Sequence, residues 1–409
     1  MSKIFLTYDS SAILYGDLIA DINAACEYKE KIQEPDLYRY FLNFLVALVN
    51  DRPLTLIDSD FSEAELNSLN ISEVNVPTRI NAYQLGGVKE LIDKVINSRS
   101  NITFYTSGTT GQPKKITHSV ANLIRNVRRS EKHADDIWGF AYNPTHMAGV
   151  QVFLQALLNG NQIINLFNMS KQDVLSKIKE FRVSHISATP TFYRLLVPVD
   201  ESFDSVTNIT FGGEKSDSML YDLASAIFPN AKIHNIYAST EAGTLFSTKG
   251  SEFFIPNSIR HLVKIVEGEI FIHSSLLGSS DSLILNNEYF ATGDIVEWVD
   301  EEKGVFRFKN RKNELINAGG YKVNPYEVED AIRTLSGVMD VRVYGKDNSV
   351  IGKILCADIV FSDNEIPTER EIRLSLSEKL QDFKIPRKIK IVEKLETTRT
   401  GKLKRCKII

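Results

Sequence analysis

Between residues 105 and 115 the chain reads Tyr-Thr-Ser-Gly-Thr-Thr-Gly-Gln-Pro-Lys-Lys, a run of hydroxyls, glycines and lysines. It follows Asn101-Ile102-Thr103-Phe104-Tyr105, whose β-branched and aromatic residues predict a short buried strand. A loop of this composition at the end of a strand points to a layered sheet with an anion at its edge. The glycines let successive backbone amides turn inward on an anion, and hydroxyls with an ammonium complete the cradle. Thr106, Ser107, Gly108, Thr109, Thr110, Gly111 and Lys114 are therefore candidate phosphate contacts, with a plain flexible loop as the alternative.

The ordinary phosphate loop, G-x-x-x-x-G-K-[ST], is not matched, because Gln112-Pro113-Lys114 follows Gly111. Further along stand Gly212-Gly213-Glu214, Tyr237-Ala238-Ser239-Thr240-Glu241, Thr292-Gly293-Asp294, Arg311 ahead of Gly319-Gly320-Tyr321-Lys322-Val323, and Thr400-Gly401-Lys402-Leu403. In this order the loop and these motifs resemble the adenylate-forming superfamily: acyl- and aryl-CoA ligases, peptide-synthetase adenylation domains and firefly-type luciferases. The resemblance covers roughly the last three quarters of the chain. Three positions depart from the family pattern: Lys115 and Ala238 stand where glycine is usual, and Asn313 stands where the family hinge has Asp or Lys.

With 409 residues, 43% hydrophobic and 24% charged, the chain can bury two or three sizeable cores. No apolar run approaches the ~20 residues of a membrane helix. The start, Met1-Ser2-Lys3-Ile4-Phe5, reaches polar residues at once and resembles no signal peptide, so a cytoplasmic location is expected. A net charge of −4 gives no footprint for nucleic acid. The basic groups Arg125, Arg128 and Arg129 are read as solvated faces. Cys26, Cys356 and Cys406 are too few and too scattered for a disulfide framework or a zinc knuckle. The seven histidines form no H-E-x-x-H pair, so a metal is expected only with the nucleotide.

Amphipathic helices are expected at Asp17 to Cys26 and Asp36 to Val49, then a strand at Leu54 to Ile57. Leu14-Tyr15-Gly16-Asp17-Leu18 resembles the family's opening T-Y-x-x-L segment, and the phosphate loop comes early, so an N-terminal portion reads as missing or compressed. Beyond the loop, helices and strands alternate: Gln172 to Phe181, Ser184 to Ala188, Asn208 to Phe211, Asp217 to Ile227, Lys232 to Tyr237. That rhythm predicts an α/β fold, whose ligands lie beyond the carboxyl ends of the strands. From about residue 263 to 310 the pattern is β-rich and suggests a small barrel-like subdomain. A helix-strand-strand-helix-strand series follows. The expected organisation is a large layered α/β domain over residues 1–312 and a small, mobile α+β domain over 313–409.

The resemblance implies a chemistry. A carboxylate oxygen attacks the α-phosphorus of ATP, pyrophosphate leaves, and both reactants are anions that need cations and aligned donors. By matching position, Thr240 meets the α-phosphate and Glu241 holds Mg²⁺, a hard cation that takes oxygen ligands. Tyr237 offers a flat face to adenine, with Gly213 and Asn235 lining the base; Glu214 and Ala238 also count among the nucleotide-binding residues, and Ala238 among the candidate pocket walls. Asp294 accepts from both ribose hydroxyls, and Arg311 reaches ribose or phosphate. Lys402 bridges the substrate carboxylate and the α-phosphate, delivered by closure of the C-terminal domain. That domain then turns about Asn313, and Gly319-Gly320 let pantetheine pass close to the backbone. Read alone, Tyr237 could be core, Asp294 a turn residue, Arg311 a surface ion pair and Lys402 a solvated lysine.

Pro144-Thr145-His146-Met147-Ala148-Gly149 resembles the P-x-x-H-x-x-G segment of acyl- and aryl-CoA ligases, and the aspartate that holds an α-amino group in peptide-synthetase domains is not matched. His146, Met147, Gly149, Gly212, Ser239 and Gly243 are candidate walls for an aryl or short to medium acyl acid. His146 could equally be a satisfied core histidine. The implied activity is an AMP-forming acid–thiol ligase using ATP, Mg²⁺ and CoA. A carrier-protein pantetheine supplied in trans, or a catalytically silent nucleotide-binding regulator, are the alternatives.

Overall fold

The computed structural model describes residues 3–8, 11–71, 73–81, 83–106, 114–318, 321–348, 352–362, 366–397 and 403. The expected periodic segments form, with ends displaced by a few residues. The first helix is Tyr15–Ala24, and the second is Leu37–Val49. Asp36 caps the second by accepting from the Arg39 amide, a contact that stabilises a helix by about 1 kcal/mol. The aromatic run of this helix is buried on nearly every side. Phe41 stacks on Phe153 of the helix Met147–Leu157 with ring centroids 4.0 Å apart. Tyr15 is fully buried and donates its hydroxyl to the Asn161 carbonyl at 2.8 Å.

The centre of the molecule is an eight-stranded sheet ordered Gly243–Thr248, Lys232–Ser239, Asn208–Gly212, His185–Ala188, Ile137–Phe140, Gln162–Asn165, Ile4–Tyr8 and Ser11–Leu14. The six inner strands are parallel, and the two edge strands run antiparallel to their neighbours. Parallel strands are covered on both faces, so they read as short apolar runs. Ile163, Ile164, Ile186, Ile209 and Phe211 are buried accordingly. Asp217 caps the helix Ser218–Ile227 by accepting from the Leu220 amide, which starts that helix directly after Gly212-Gly213-Glu214.

A second sheet orders Lys31–Ile32, Leu54–Leu56, Asn101–Thr106 and Lys114–Ser119. The last two strands are antiparallel, with Thr106 opposite Lys114. The phosphate-loop candidate is thus the connection of a hairpin. Ser107, Gly108, Thr109, Thr110 and Gly111 lie outside the described residues, as does the side chain of Thr106.

The β-rich unit begins earlier than expected, at Glu252–Phe254. It continues through Val305–Arg311, Tyr289–Asp300 and Glu269–His273 to Val263–Val266, with Leu285–Asn286 paired to Tyr289–Asp300. Closure into a barrel would need the two outer strands to pair. Among the described residues Glu252–Phe254 and Val263–Val266 remain the edges, so the unit is an open antiparallel sheet. Beyond it, Val338–Asn348 and Gly352–Phe361 are antiparallel and Lys388–Ile391 adds in parallel. The helices Pro325–Arg333 and Glu369–Ser377 complete a smaller α+β domain with its own core of Val328, Ile332, Val341, Ile359, Ile372 and Leu376.

Candidate active site

Two cavities open beyond the carboxyl ends of Asn208–Gly212 and Lys232–Ser239. One, of about 260 Å³, is bounded by Trp138, Tyr142, His146, Met147, Gly212 and Thr240. The other, of about 360 Å³, is bounded by Glu214, Asn235, Tyr237, Asp294, Arg311 and Arg333. Gly213, Ile236 and Ala238 belong to both walls, so the cavities meet over the ends of two neighbouring parallel strands. Thr240, two residues beyond Ala238, lines the smaller cavity.

In the larger cavity the side chains are fixed by one another. Asp294 and Arg311 face each other across paired strands, and Arg311 Nε donates to Asp294 Oδ1 at 2.5 Å. The Tyr237 hydroxyl donates to Asp294 Oδ2. Burial, reinforced by the Asp294 charge, holds the Tyr237 phenol well above its ordinary range. Burial alone would lower Arg311; the charge and hydrogen bond of Asp294 outweigh it and hold the guanidinium above its usual value. Tyr237 packs its ring against Phe246 and Phe253. Asn235 is buried and donates to Ser216 Oγ at 2.9 Å. A carboxylate held between a guanidinium and a phenol, beside an aromatic ring, suits a ribose and base.

In the smaller cavity His146 precedes the helix Met147–Leu157, and its Nε2 lies 2.9 Å from Asp58 Oδ2. Asn143 donates to the other oxygen of Asp58 at 2.6 Å. His146 is therefore oriented by a buried carboxylate 88 residues away, a partner that sequence reading missed. Met147 and Ser239 line the same cavity, whereas Gly149 and Gly243 are not among its walls. A Cβ on Gly149 would stand 2.1 Å from the Asn143 carbonyl oxygen, so this glycine lets the helix approach the loop before it. Gly243 has a φ of +65° and would set a Cβ 3.0 Å from Gln151 Nε2. Tyr142 Oη would be 3.0 Å from a Cβ on Gly212.

The segment Thr240 to Thr244 is held from below. His118, on the strand leaving the phosphate-loop candidate, bonds through Nε2 to the Thr240 carbonyl at 2.7 Å, while Asn122 Nδ2 faces its Nδ1 at 2.9 Å. The Thr240 carbonyl can only accept, so His118 carries its proton on Nε2. Burial holds its pKa below the ordinary value, and the Thr240 contact offsets part of that effect. Arg125 donates to the carbonyls of Ala242 at 2.5 Å and Leu276 at 3.1 Å. The reading of Arg125 as a solvated face is therefore corrected: carbonyl oxygens around the Thr240-Glu241 turn need a donor, and a long guanidinium reaches them. Arg128 and Arg129 are exposed. Glu241 is half-buried, and its carbonyl accepts from the Gly278 amide at 2.8 Å.

The C-terminal domain closes over the larger cavity. Glu214 accepts from the Leu403 amide at 2.7 Å through one oxygen, and from the amide and hydroxyl of Thr191 at 3.0 and 2.7 Å through the other. Arg194 donates to Asp217 at 2.5 Å, Arg333 lies 3.5 Å from the same carboxylate, and Lys215 pairs with Asp330 at 2.7 Å. Burial alone would push the Asp217 carboxyl up; Arg194 and Arg333 outweigh it and hold it below the usual carboxylate range. Lys402 lies outside the described residues, as do Gly319, Gly320 and the side chain of Asn313. Leu403, the neighbour of Lys402, lines the larger cavity.

The AMP-binding enzyme family matches residues 58–265, and the AMP-binding enzyme C-terminal domain matches residues 327–402. The chain belongs to the AMP-binding enzyme family. The expected class, an ATP-dependent acid–thiol ligase of the acyl- or aryl-CoA synthetase kind, stands. The chain is 25% identical over 370 residues to a 2-succinylbenzoate–CoA ligase of Staphylococcus epidermidis, covering 84% of this chain and 76% of that protein. It is 23% identical over 413 residues to the enzyme of the same name from Staphylococcus aureus, covering 93% and 82%. Among solved structures, ATP-bound MatB from Rhodopseudomonas palustris aligns with a TM-score of 0.75 at 17% identity, over 98% of this chain and 94% of that one. The o-succinylbenzoate CoA synthetase of Bacillus subtilis with its acyl-adenylate aligns at 0.71 and 20%, with the same coverage. These likenesses carry the fold, a large and a small domain. Among the described residues no helix is long and apolar enough to cross a membrane.

Proposed function

We propose that this protein joins an aryl carboxylic acid to the thiol of CoA through an acyl-adenylate. The observation that carries the proposal is the junction of two cavities at Gly213, Ile236 and Ala238, beside Thr240. The acid lies in the smaller cavity against Trp138, Tyr142 and Met147, whose rings and thioether suit an aromatic body. ATP lies in the larger one, with ribose on Asp294, adenine near Tyr237 and the polyphosphate toward Lys114 and the loop before it. The similarity to named 2-succinylbenzoate–CoA ligases supports an aryl acid over a fatty acid.

In the first half-reaction a carboxylate oxygen bonds to the α-phosphorus as the bond to the pyrophosphate oxygen breaks. Thr240 donates to the α-phosphate, and Lys402 neutralises charge on the carboxylate and phosphate together. Glu241, half-buried next to Thr240 in the chain, is an oxygen ligand of the kind Mg²⁺ takes, and the ion would balance charge on the phosphates. In the second half-reaction the CoA thiolate attacks the acyl carbon and AMP leaves. Residues 313–409 turn about Asn313 between the steps, and Gly319-Gly320 border the pantetheine path.

The test is ATP–pyrophosphate exchange by the purified protein with a panel of aryl, fatty and amino acids, with Lys402→Ala run beside it. Exchange with aryl acids that the variant lacks is expected, followed by thioester formation on adding CoA. Exchange confined to fatty or amino acids would refute the aryl assignment. ATP binding without exchange across the panel would refute the ligase.

A further inference from the structure

At the amino ends of the two central strands of the parallel sheet, two histidines and an aspartate converge. His133 ends the short turn Glu131–His133, Asp136 precedes the strand Ile137–Phe140, and His185 opens the neighbouring strand His185–Ala188. One ligating atom from each lies within 4.8 Å of the others. His133 Nδ1 stands 2.8 Å, and His185 Nε2 3.4 Å, from the same oxygen, Asp136 Oδ2. Ligands bound at about 2.0–2.1 Å in a tetrahedron stand roughly 3.3 Å apart, so these separations are near those of a small divalent ion's shell.

The surroundings fix the ring orientation. Ser184 Oγ accepts from the Ile137 amide at 2.8 Å and donates to the Ile137 carbonyl at 3.2 Å. Ser184 Oγ also lies 2.9 Å from His185 Nδ1, where it can accept. With the proton on Nδ1, the Nε2 lone pair faces the Asp136 carboxylate at 3.4 Å. Two acceptors facing each other need a cation between them. A metal-ligating histidine usually donates its other ring N–H to an acceptor that fixes the ring, and the Ser184 hydroxyl stands in that place. The turn is fixed as well: Asn161 donates to the His133 carbonyl at 2.6 Å, and Asn159 accepts from the Ser130 amide at 3.3 Å.

We propose that His133, Asp136 and His185 bind a divalent transition-metal ion of the Zn²⁺ or Co²⁺ type, separate from the Mg²⁺ that accompanies ATP. Imidazole and carboxylate donors suit such borderline ions, and three protein ligands leave at least one position for water. The expectation that metal enters only with the nucleotide rested on sequence spacing. His133 and His185 are 52 positions apart, so no local motif marks them. The ion would tie the turn before one strand to the start of the next. The His185 ring lies tilted on Trp138 with centroids 5.0 Å apart, and Trp138 reaches the wall of the smaller cavity, so the ion would also brace that wall.

The experiment takes full-length protein without a histidine tag, strips it with chelator and titrates it with Co²⁺ and then Zn²⁺. Uptake of one equivalent, with visible Co²⁺ ligand-field bands and quenching of Trp138 fluorescence, is expected. His133→Gln should weaken binding at least tenfold, and Ser184→Ala by roughly 10- to 100-fold, with ATP binding unchanged. His133 is partly exposed, so its variant keeps the test readable if a substitution at the buried His185 misfolds. No Co²⁺ uptake by the wild type, or equal uptake by His133→Gln, would overturn the site.

Discussion

The Leu403 amide donates to Glu214 Oε1 at 2.7 Å, joining the residue after Lys402 to the glycine-rich turn that ends a central strand. One carboxylate thereby sets both the turn and the C-terminal tail over the larger cavity. Glu214→Gln can keep one acceptor but supplies only a single oxygen, and it loses the charge that strengthens these bonds by roughly a factor of two. We expect Glu214→Gln to slow ATP–pyrophosphate exchange about tenfold or more while thioester formation from supplied acyl-adenylate is nearly kept. Equal loss in both half-reactions would point to Glu214 holding only the turn.

Lys402→Ala should lower the rate of adenylation by at least ~10²-fold, the scale of a lost transition-state donor, with ATP binding nearly unchanged. Single-turnover formation of acyl-AMP separates the two. A variant with wild-type turnover would remove Lys402 from the chemistry.

Arg333 of the small domain and Arg194 of the large one share the Asp217 carboxylate. Truncating one partner of a largely buried pair costs about 2–5 kcal/mol, much of it from the charge left behind. Arg333→Met should therefore loosen the closed pose, reduce pyrophosphate exchange and increase proteolysis between the domains. Lys215→Ala, which breaks the more exposed pair with Asp330, should cost at most about 1 kcal/mol. Both effects are read by thermal unfolding and exchange rate.

Asp294 is 1% exposed; its carboxylate accepts from Tyr237 and Arg311, and its amide donates to Thr292 Oγ1. Asp294→Ala should raise the KM for ATP at least tenfold and lower Tm, because Arg311 and the buried phenol lose their acceptor. Adenosine 5′-monophosphate binding by calorimetry gives the direct reading. Unaltered affinity would mean that Asp294 serves the strand pairing alone.

How much of this was legible in sequence differs by residue. The strands that carry Gly212 and Tyr237 are short apolar runs bounded by glycine and polar residues, so both strand and motif could be read locally. Asp58 could not be assigned to His146, nor Arg125 to the Ala242 carbonyl. Those contacts join segments 88 and 117 positions apart and follow no period. Gly149 was read as a pocket wall because its motif includes it; its contact with Asn143 is a backbone approach that only folded coordinates reveal. The β-rich region was recognised by its alternation, but sheet closure depends on edge pairing, which alternation does not encode.

His118 supplies a pH test. Burial lowers its folded pKa below the ordinary value near 6.5. Between the folded and unfolded values the unfolded chain carries the extra proton, so stability rises with pH through that window. The stabilisation is complete above about pH 6.5 and is lost as pH falls toward the folded pKa. Protonation would also break the Asn122 contact, because Nδ1 would become a donor facing an amide nitrogen. We expect the wild type to lose Tm and adenylation rate on going from pH 7.5 to 5.5. His118→Gln should start lower at pH 7.5 and fall less over the same interval. Burial also holds His185 and His234 low, so the difference between wild type and variant isolates the His118 contribution. Parallel pH profiles for the two proteins would show that His118 does not titrate in this range.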